Sequence, residues 1–133
     1  MDFNNLTQKA REAVLHGRDL AIQAGHPEIT GEHLLKALMS QKDGIVAPLL
    51  ARLGVSGESP LARLDDELKR RPRVQGGAEP GMSAALVRLL DDAGQVMQQF
   101  KDEFISAEHL LLAMARTSGI PVMSATMEEP KAQ

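Results

Sequence analysis

Ile29-Thr30-Gly31-Glu32-His33-Leu34-Leu35-Lys36-Ala37-Leu38 returns later in the chain as Ile105-Ser106-Ala107-Glu108-His109-Leu110-Leu111-Leu112-Ala113-Met114, with Glu-His-Leu-Leu unchanged. Ile29 falls on Ile105, 76 positions on. The same displacement, with no gap, carries Leu6, Ala10, Ala13, Val14, Leu20, Ala21 and Ala24 onto Met82, Leu86, Leu89, Leu90, Val96, Met97 and Phe100. The chain therefore holds two copies of one unit.

Outward from this stretch, each copy starts at a hydroxyl residue, Thr7 or Ser83, set just before apolar residues at helical spacing. A side-chain oxygen there can accept from the unpaired N–H groups of a first helical turn. The first helix is predicted from Gln8 to Ala24, ending at Gly25-His26-Pro27. Thr30 and Ser106 announce a second, whose capping box is imperfect because His33 stands where Glu or Gln would reach back. Leu34, Leu35 and Leu38, with Leu110, Leu111 and Met114, form its buried stripe. Gly44 closes that segment in the first copy. Ile45 to Leu53 reads as a short third helix ended by Gly54, and Pro60 to Arg71 as a fourth with Leu61, Leu64 and Leu68 on one face. No stretch shows sustained period-two alternation, so no strand is predicted.

The fold class is all-α: one compact multi-helix domain built from a pseudo-twofold helical repeat. The first repeat covers 1–71 and the Gly/Pro-rich stretch 72–81 is a connector. The second repeat covers 82–118. Residues 119–133 lack the leucine face of the first copy and end in Glu128-Glu129-Pro130-Lys131-Ala132-Gln133, which reads as an ill-ordered polar tail.

Composition removes several classes of function. With 133 residues, 43% hydrophobic and 25% charged, the chain is large enough for one self-sufficient core. Cysteine is absent, which excludes disulfides, thiol nucleophiles and Cys-ligated zinc. A net charge of −3 and three aromatic residues, all Phe, argue against nucleic-acid binding. The basic run Lys69-Arg70-Arg71-Pro72-Arg73 reads as cations at a helix C-terminus stopped by proline. No apolar run approaches the ~20 residues of a membrane span, and no secretory signal is visible, so a cytoplasmic protein is expected. Gly-x-x-x-x-Gly-Lys-Ser/Thr does not occur, so these residues hold no phosphate cradle for ATP. His33 and His109 recur because the whole unit recurs, and neither has a second ligand at metal spacing. Neighbouring carboxylates such as Asp65-Asp66 and Asp91-Asp92 point in different directions on a helix and make no catalytic dyad. A small hydrolase is accordingly disfavoured, and no cofactor or metal is expected.

Leu6-Thr7 before the first helix, Ile-Thr-x-Glu-His-Leu-Leu with its second copy, and Gly44-Ile45-Val46-Ala47-Pro48-Leu49-Leu50 together resemble the Clp N-domain family over about Leu6 to Ser118. The linker Arg71-Pro72-Arg73-Val74-Gln75-Gly76 looks like that of the ClpB-type disaggregases. The resemblance implies an interaction domain, monomeric in isolation, that precedes ATPase modules in a hexamer and captures unfolded or aggregated client proteins. It also implies a groove between the copies at Thr7, Leu90, Asp102, Glu108 and His109. Leu90 could instead belong to the deep core, as its alignment with Val14 permits. The alternative is a ClpC- or ClpA-type domain that binds adaptors or phosphoarginine, with Glu32 and Glu108 pairing with guanidinium and Thr7 and Ser83 holding phosphate.

Overall fold

A computed structural model describes residues 3–46, 48–49, 58–74 and 79–116. Thr7 is extended, and its Oγ1 accepts from the Ala10 N–H at 3.2 Å, opening α1 (Gln8–Ala24). The buried side of α1 is made of small residues, Ala10, Ala13, Gly17 and Ala21, with Val14. This lets α2 (Gly31–Met39) approach so closely that a Cβ on Gly17 would lie 3.4 Å from the backbone of His33 and Leu34. Eight of the nine residues of α2 are buried, Lys36 alone reaching partly into solvent, as befits a central helix that is apolar on most sides. α3 (Glu58–Lys69) lies on α2 with Leu64 and Leu68 buried. It begins two residues before Pro60, because a proline in the first turn removes an N–H that has no helical partner.

The second copy repeats the plan. Ser83 Oγ accepts from the Leu86 N–H at 3.1 Å and opens α4 (Ala84–Gln99), and α5 (Ala107–Arg116) packs on it as α2 packs on α1. Leu34, Leu35 and Leu38 share one core with Leu86, Leu89, Leu90, Leu110, Leu111 and Met114.

Two short parallel pairings stitch the copies together, where the sequence predicts none. β1 (Glu28–Ile29) pairs with β2 (Gly81–Met82), and a bridge joins Leu6 to Ile105. The Ser83 N–H donates to the Ile29 carbonyl and the Thr7 N–H to the Ile105 carbonyl, each at 2.9 Å. Each copy thus lends the residues before its second helix to the start of the other copy's first helix, which is the twofold exchange written in hydrogen bonds. Two-residue strands are too short to leave an alternating pattern in sequence.

Of the expected third helix, Val46, Pro48 and Leu49 are helical, with the Leu49 N–H on the Ile45 carbonyl at 2.9 Å. Its remainder, the middle of the connector and the tail from 119 onward lie outside the described residues. Among those described, no helix is long and apolar enough to cross a membrane.

Candidate functional site

The Glu-His pair after each cap does different work at its two residues. The Thr30 N–H donates to His33 Nδ1 at 2.9 Å, and the Ser106 N–H to His109 Nδ1 at 2.8 Å. Histidine thus takes the part that Glu or Gln plays in a capping box. Because a backbone N–H can only donate, Nδ1 is the acceptor in both rings and the neutral ring carries its proton on Nε2. In the first copy Nε2 of His33 faces Nδ1 of His26 at 2.8 Å; in the second, Nε2 of His109 faces Asp102 Oδ2 at 2.8 Å. Burial pushes His33 down to about 4, helped by repulsion from His26, Arg71 and Lys36. Burial also lowers His26, against a bond to the Leu68 backbone that raises it.

Asp102, Glu108 and His109 come together around a cavity of about 440 Å³ whose floor is Leu111, Leu112 and Ala115. Leu49 of the first copy forms part of its wall. Phe100, 59% exposed, stacks against the His109 ring with centroids 6.3 Å apart. A second hollow of about 310 Å³, lined by Gly44, Ile45 and Pro48, shares Leu49 and Glu108 with the first. The result is a cleft running between the copies, apolar along its floor, with the exposed carboxylates of Asp102 and Glu108 on it.

The equivalent face of the first copy is covered by its own chain. Glu32, His33, Leu35, Lys36 and Met39 are the counterparts of Glu108, His109, Leu111, Leu112 and Ala115. Over them α3 sets Asp65 2.7 Å from Lys36, and Arg71 pairs with Glu32.

Three residues of the expected groove, Asp102, Glu108 and His109, thus share one cavity. Thr7 is half-buried as the cap of α1 and is not among the described residues lining it. Leu90 is a correction: at 2% exposure it sits in the common core, as its counterpart Val14 does, because the fully buried face of α4 includes this position. Ser83 is buried and its hydroxyl caps α4, while Glu32 already holds Arg71. Sequence reasoning missed Phe100, Leu111 and Leu112. For Phe100 and Leu112 the signal was available in the repeat itself, since Phe100 replaces Ala24 and Leu112 replaces Lys36, whereas Leu111 stands on Leu35 and shows no such difference.

Two stacked helical hairpins joined by exchanged strand pairings, with a cleft between them, define a double-repeat helical module. Residues 5–125 match the family described as Clp repeat (R) N-terminal domain, and the chain belongs to that family. It is 35% identical over 133 residues to the chaperone protein ClpB of Nitratidesulfovibrio vulgaris, an alignment covering 97% of this chain and 15% of the relative. The chain therefore spans about 15% of the length of that relative. The Hsp104 N-terminal domain from Candida albicans has the same fold, with a TM-score of 0.82 at 20% identity over 96% of this chain and 82% of that one. A ClpV N-domain solved in complex with a VipB peptide superposes with a TM-score of 0.79 at 21% identity, covering 96% of this chain and 79% of that one.

Proposed function

We propose that this chain is the substrate-receiving N-terminal domain of a ClpB-type chaperone, and that its cleft captures exposed segments of unfolded or aggregated polypeptide. The observation that carries the reading is the half-open apolar cleft at α5 with the carboxylates of Asp102 and Glu108 on it. An apolar floor beside negative charge suits segments that mix hydrophobic and basic residues, as unfolded clients do. Capture must be weak, since a client has to be released onward, and a cleft this small buries little area. Threading by ATP hydrolysis would belong to the remainder of such a protein, acting as a hexamer in the cytoplasm.

The complex of a ClpV N-domain with a peptide supports the class of partner. The adaptor- or phosphoarginine-binding reading is less favoured, because Glu32 is engaged by Arg71 and the hydroxyls of Thr7 and Ser83 cap helices. Chemical-shift mapping of the ¹⁵N-labelled chain with an unfolded model client tests the reading. Shifts should gather at Phe100, Asp102, Glu108 and Leu112, and Glu108→Ala should weaken binding about three- to tenfold with an unchanged circular dichroism spectrum. Shifts gathered instead on the Arg63 to Arg71 face, with Glu108→Ala silent, would move the partner to α3.

A further inference from the structure

We infer that the two acidic residues of the cleft have different roles. Asp102 is a positioning residue that holds the His109 ring and, through it, Phe100, while Glu108 is the carboxylate that meets a basic side chain of the bound segment. The role of Glu108 rests on the substrate reading above; that of Asp102 stands on hydrogen bonds within the chain.

The His109 ring is pinned at both nitrogens. From the cap of its own helix the Ser106 N–H donates to Nδ1 at 2.8 Å, with the Ser106 hydroxyl 3.1 Å away. From beyond the end of α4, Asp102 Oδ2 accepts the Nε2 proton at 2.8 Å. Asp102 reaches the ring because Lys101 turns the chain at φ 59° and the Asp102 N–H closes on the Met97 carbonyl at 3.0 Å. The χ2 torsion of histidine is broad by itself, so these two bonds, and not the rotamer, fix the ring plane. Phe100, more than half exposed, lies on that plane with centroids 6.3 Å apart and 29° between the rings. An aromatic side chain at a helix end takes a fixed place in a cleft wall from such a contact. Without Asp102 the ring keeps one anchor of two, and the wall that Phe100 makes loosens with it.

The repeat separates the two acids independently. Asp102 falls on His26, which likewise accepts a ring proton, that of His33, at the same 2.8 Å. What the two copies share at this position is an acceptor for the ring, charged in one and uncharged in the other. Glu108 falls on Glu32, and here the copies keep the carboxylate itself. Glu32 holds the guanidinium of Arg71, a cation brought by the segment that lies over α2. Arg71 is thus an image, within the molecule, of the side chain that Glu108 takes from a partner. Among the described residues no cation stands on Glu108. Glu108 also borders both hollows of the cleft, so a basic side chain placed there has apolar contacts on either side.

Two peptides of one apolar sequence, the first with a single arginine and the second with citrulline in its place, test this when titrated into the full 133-residue chain. Asp102→Asn keeps an acceptor and removes the charge, whereas Asp102→Ala removes both. The wild type should prefer the arginine peptide by about threefold, Asp102→Asn should keep that preference, and Glu108→Gln should lose it. Asp102→Ala should weaken both peptides alike, by about two- to tenfold, because the wall must then be ordered on binding. In NMR spectra the His109 Nε2 proton and the cross-peaks between the His109 and Phe100 rings should be present in the wild type and in Asp102→Asn. Both should be lost in Asp102→Ala, at an unchanged circular dichroism spectrum. Loss of the arginine preference in Asp102→Asn, or an Asp102→Ala variant with either its ring signals or its binding intact, overturns the inference. A wild type that binds neither peptide removes the substrate reading and the role of Glu108 with it, and the ring signals alone then decide that of Asp102.

Discussion

The same histidine, at the same place in the same hairpin, meets a second histidine in one copy and a carboxylate in the other. His33 gives its Nε2 proton to His26, inside a face that α3 covers; His109 gives its own to Asp102, at the mouth of an apolar cleft. The neighbouring glutamates diverge in the same direction. Glu32 is buried against Arg71, whereas Glu108 is exposed on the cleft. Duplication thus supplied the frame, and the copies divided the roles: one is closed by its own chain and the other presents the matching face outward. The exposed apolar cleft is found where the repeats differ.

The deepest test of that comparison is on positions where the copies do not differ. Leu34 and Leu110 are both fully buried members of one core. Truncating either to alanine should cost about 3 kcal/mol, read from urea denaturation, with the two values within about 1 kcal/mol of each other. A much smaller loss for Leu110→Ala would mean that the second copy does not share the core on equal terms.

The glutamates should then separate sharply. Glu32 has a side chain only 7% exposed while Arg71 is 34% exposed, so the pair is partly screened and falls short of a fully buried one. Glu32→Gln should cost about 1–2 kcal/mol, and Glu108→Gln should stay within about 0.5 kcal/mol because its carboxylate is already in water. Equal losses would erase the division of roles drawn here.

The duplication and the bounds of α1 were legible, because burial on one face of a helix writes itself as spacing: α1 was expected from Gln8 to Ala24 and spans those residues, whereas α3 was expected from Pro60 to Arg71 and spans Glu58–Lys69. The caps at Thr7 and Ser83 were legible for the same local reason. The exchanged pairings of Ile29 with Met82 and Leu6 with Ile105 were not, since contacts between segments 53 and 99 residues apart leave no local pattern. Of the residues that the family resemblance put in one groove, Asp102, Glu108 and His109 line one cavity, whereas Leu90 lies in the core. An apolar residue on a helix reads alike whether it floors a cleft or fills a core, and only the neighbouring elements decide. The partner of His33 was hidden too, because His26 lies on the far side of a turn whose path depends on Gly25.

That turn supplies the smallest and most local comparison. Both first helices end in the same left-handed cap: the His26 N–H donates to the Ala21 carbonyl and the Asp102 N–H to the Met97 carbonyl, at 2.9 and 3.0 Å. The left-handed residue is Gly25 at φ 71° in the first copy but Lys101, just after the Phe100 cap, at φ 59° in the second. A side chain in this conformation is strained by roughly 1 kcal/mol, which glycine avoids at the expense of a freer unfolded chain. Gly25→Ala should therefore cost about 1 kcal/mol, the more so because the new Cβ would meet the Val74 carbonyl at 3.4 Å. Lys101→Gly should instead stabilise by about 0.5 kcal/mol, visible as a small rise in thermal midpoint. A loss of stability there would show that the Lys101 side chain makes an interaction that outweighs its strain. The two caps would then differ in more than the presence of a Cβ, and the turn that carries Asp102 to His109 would be held by the lysine as well as by the backbone.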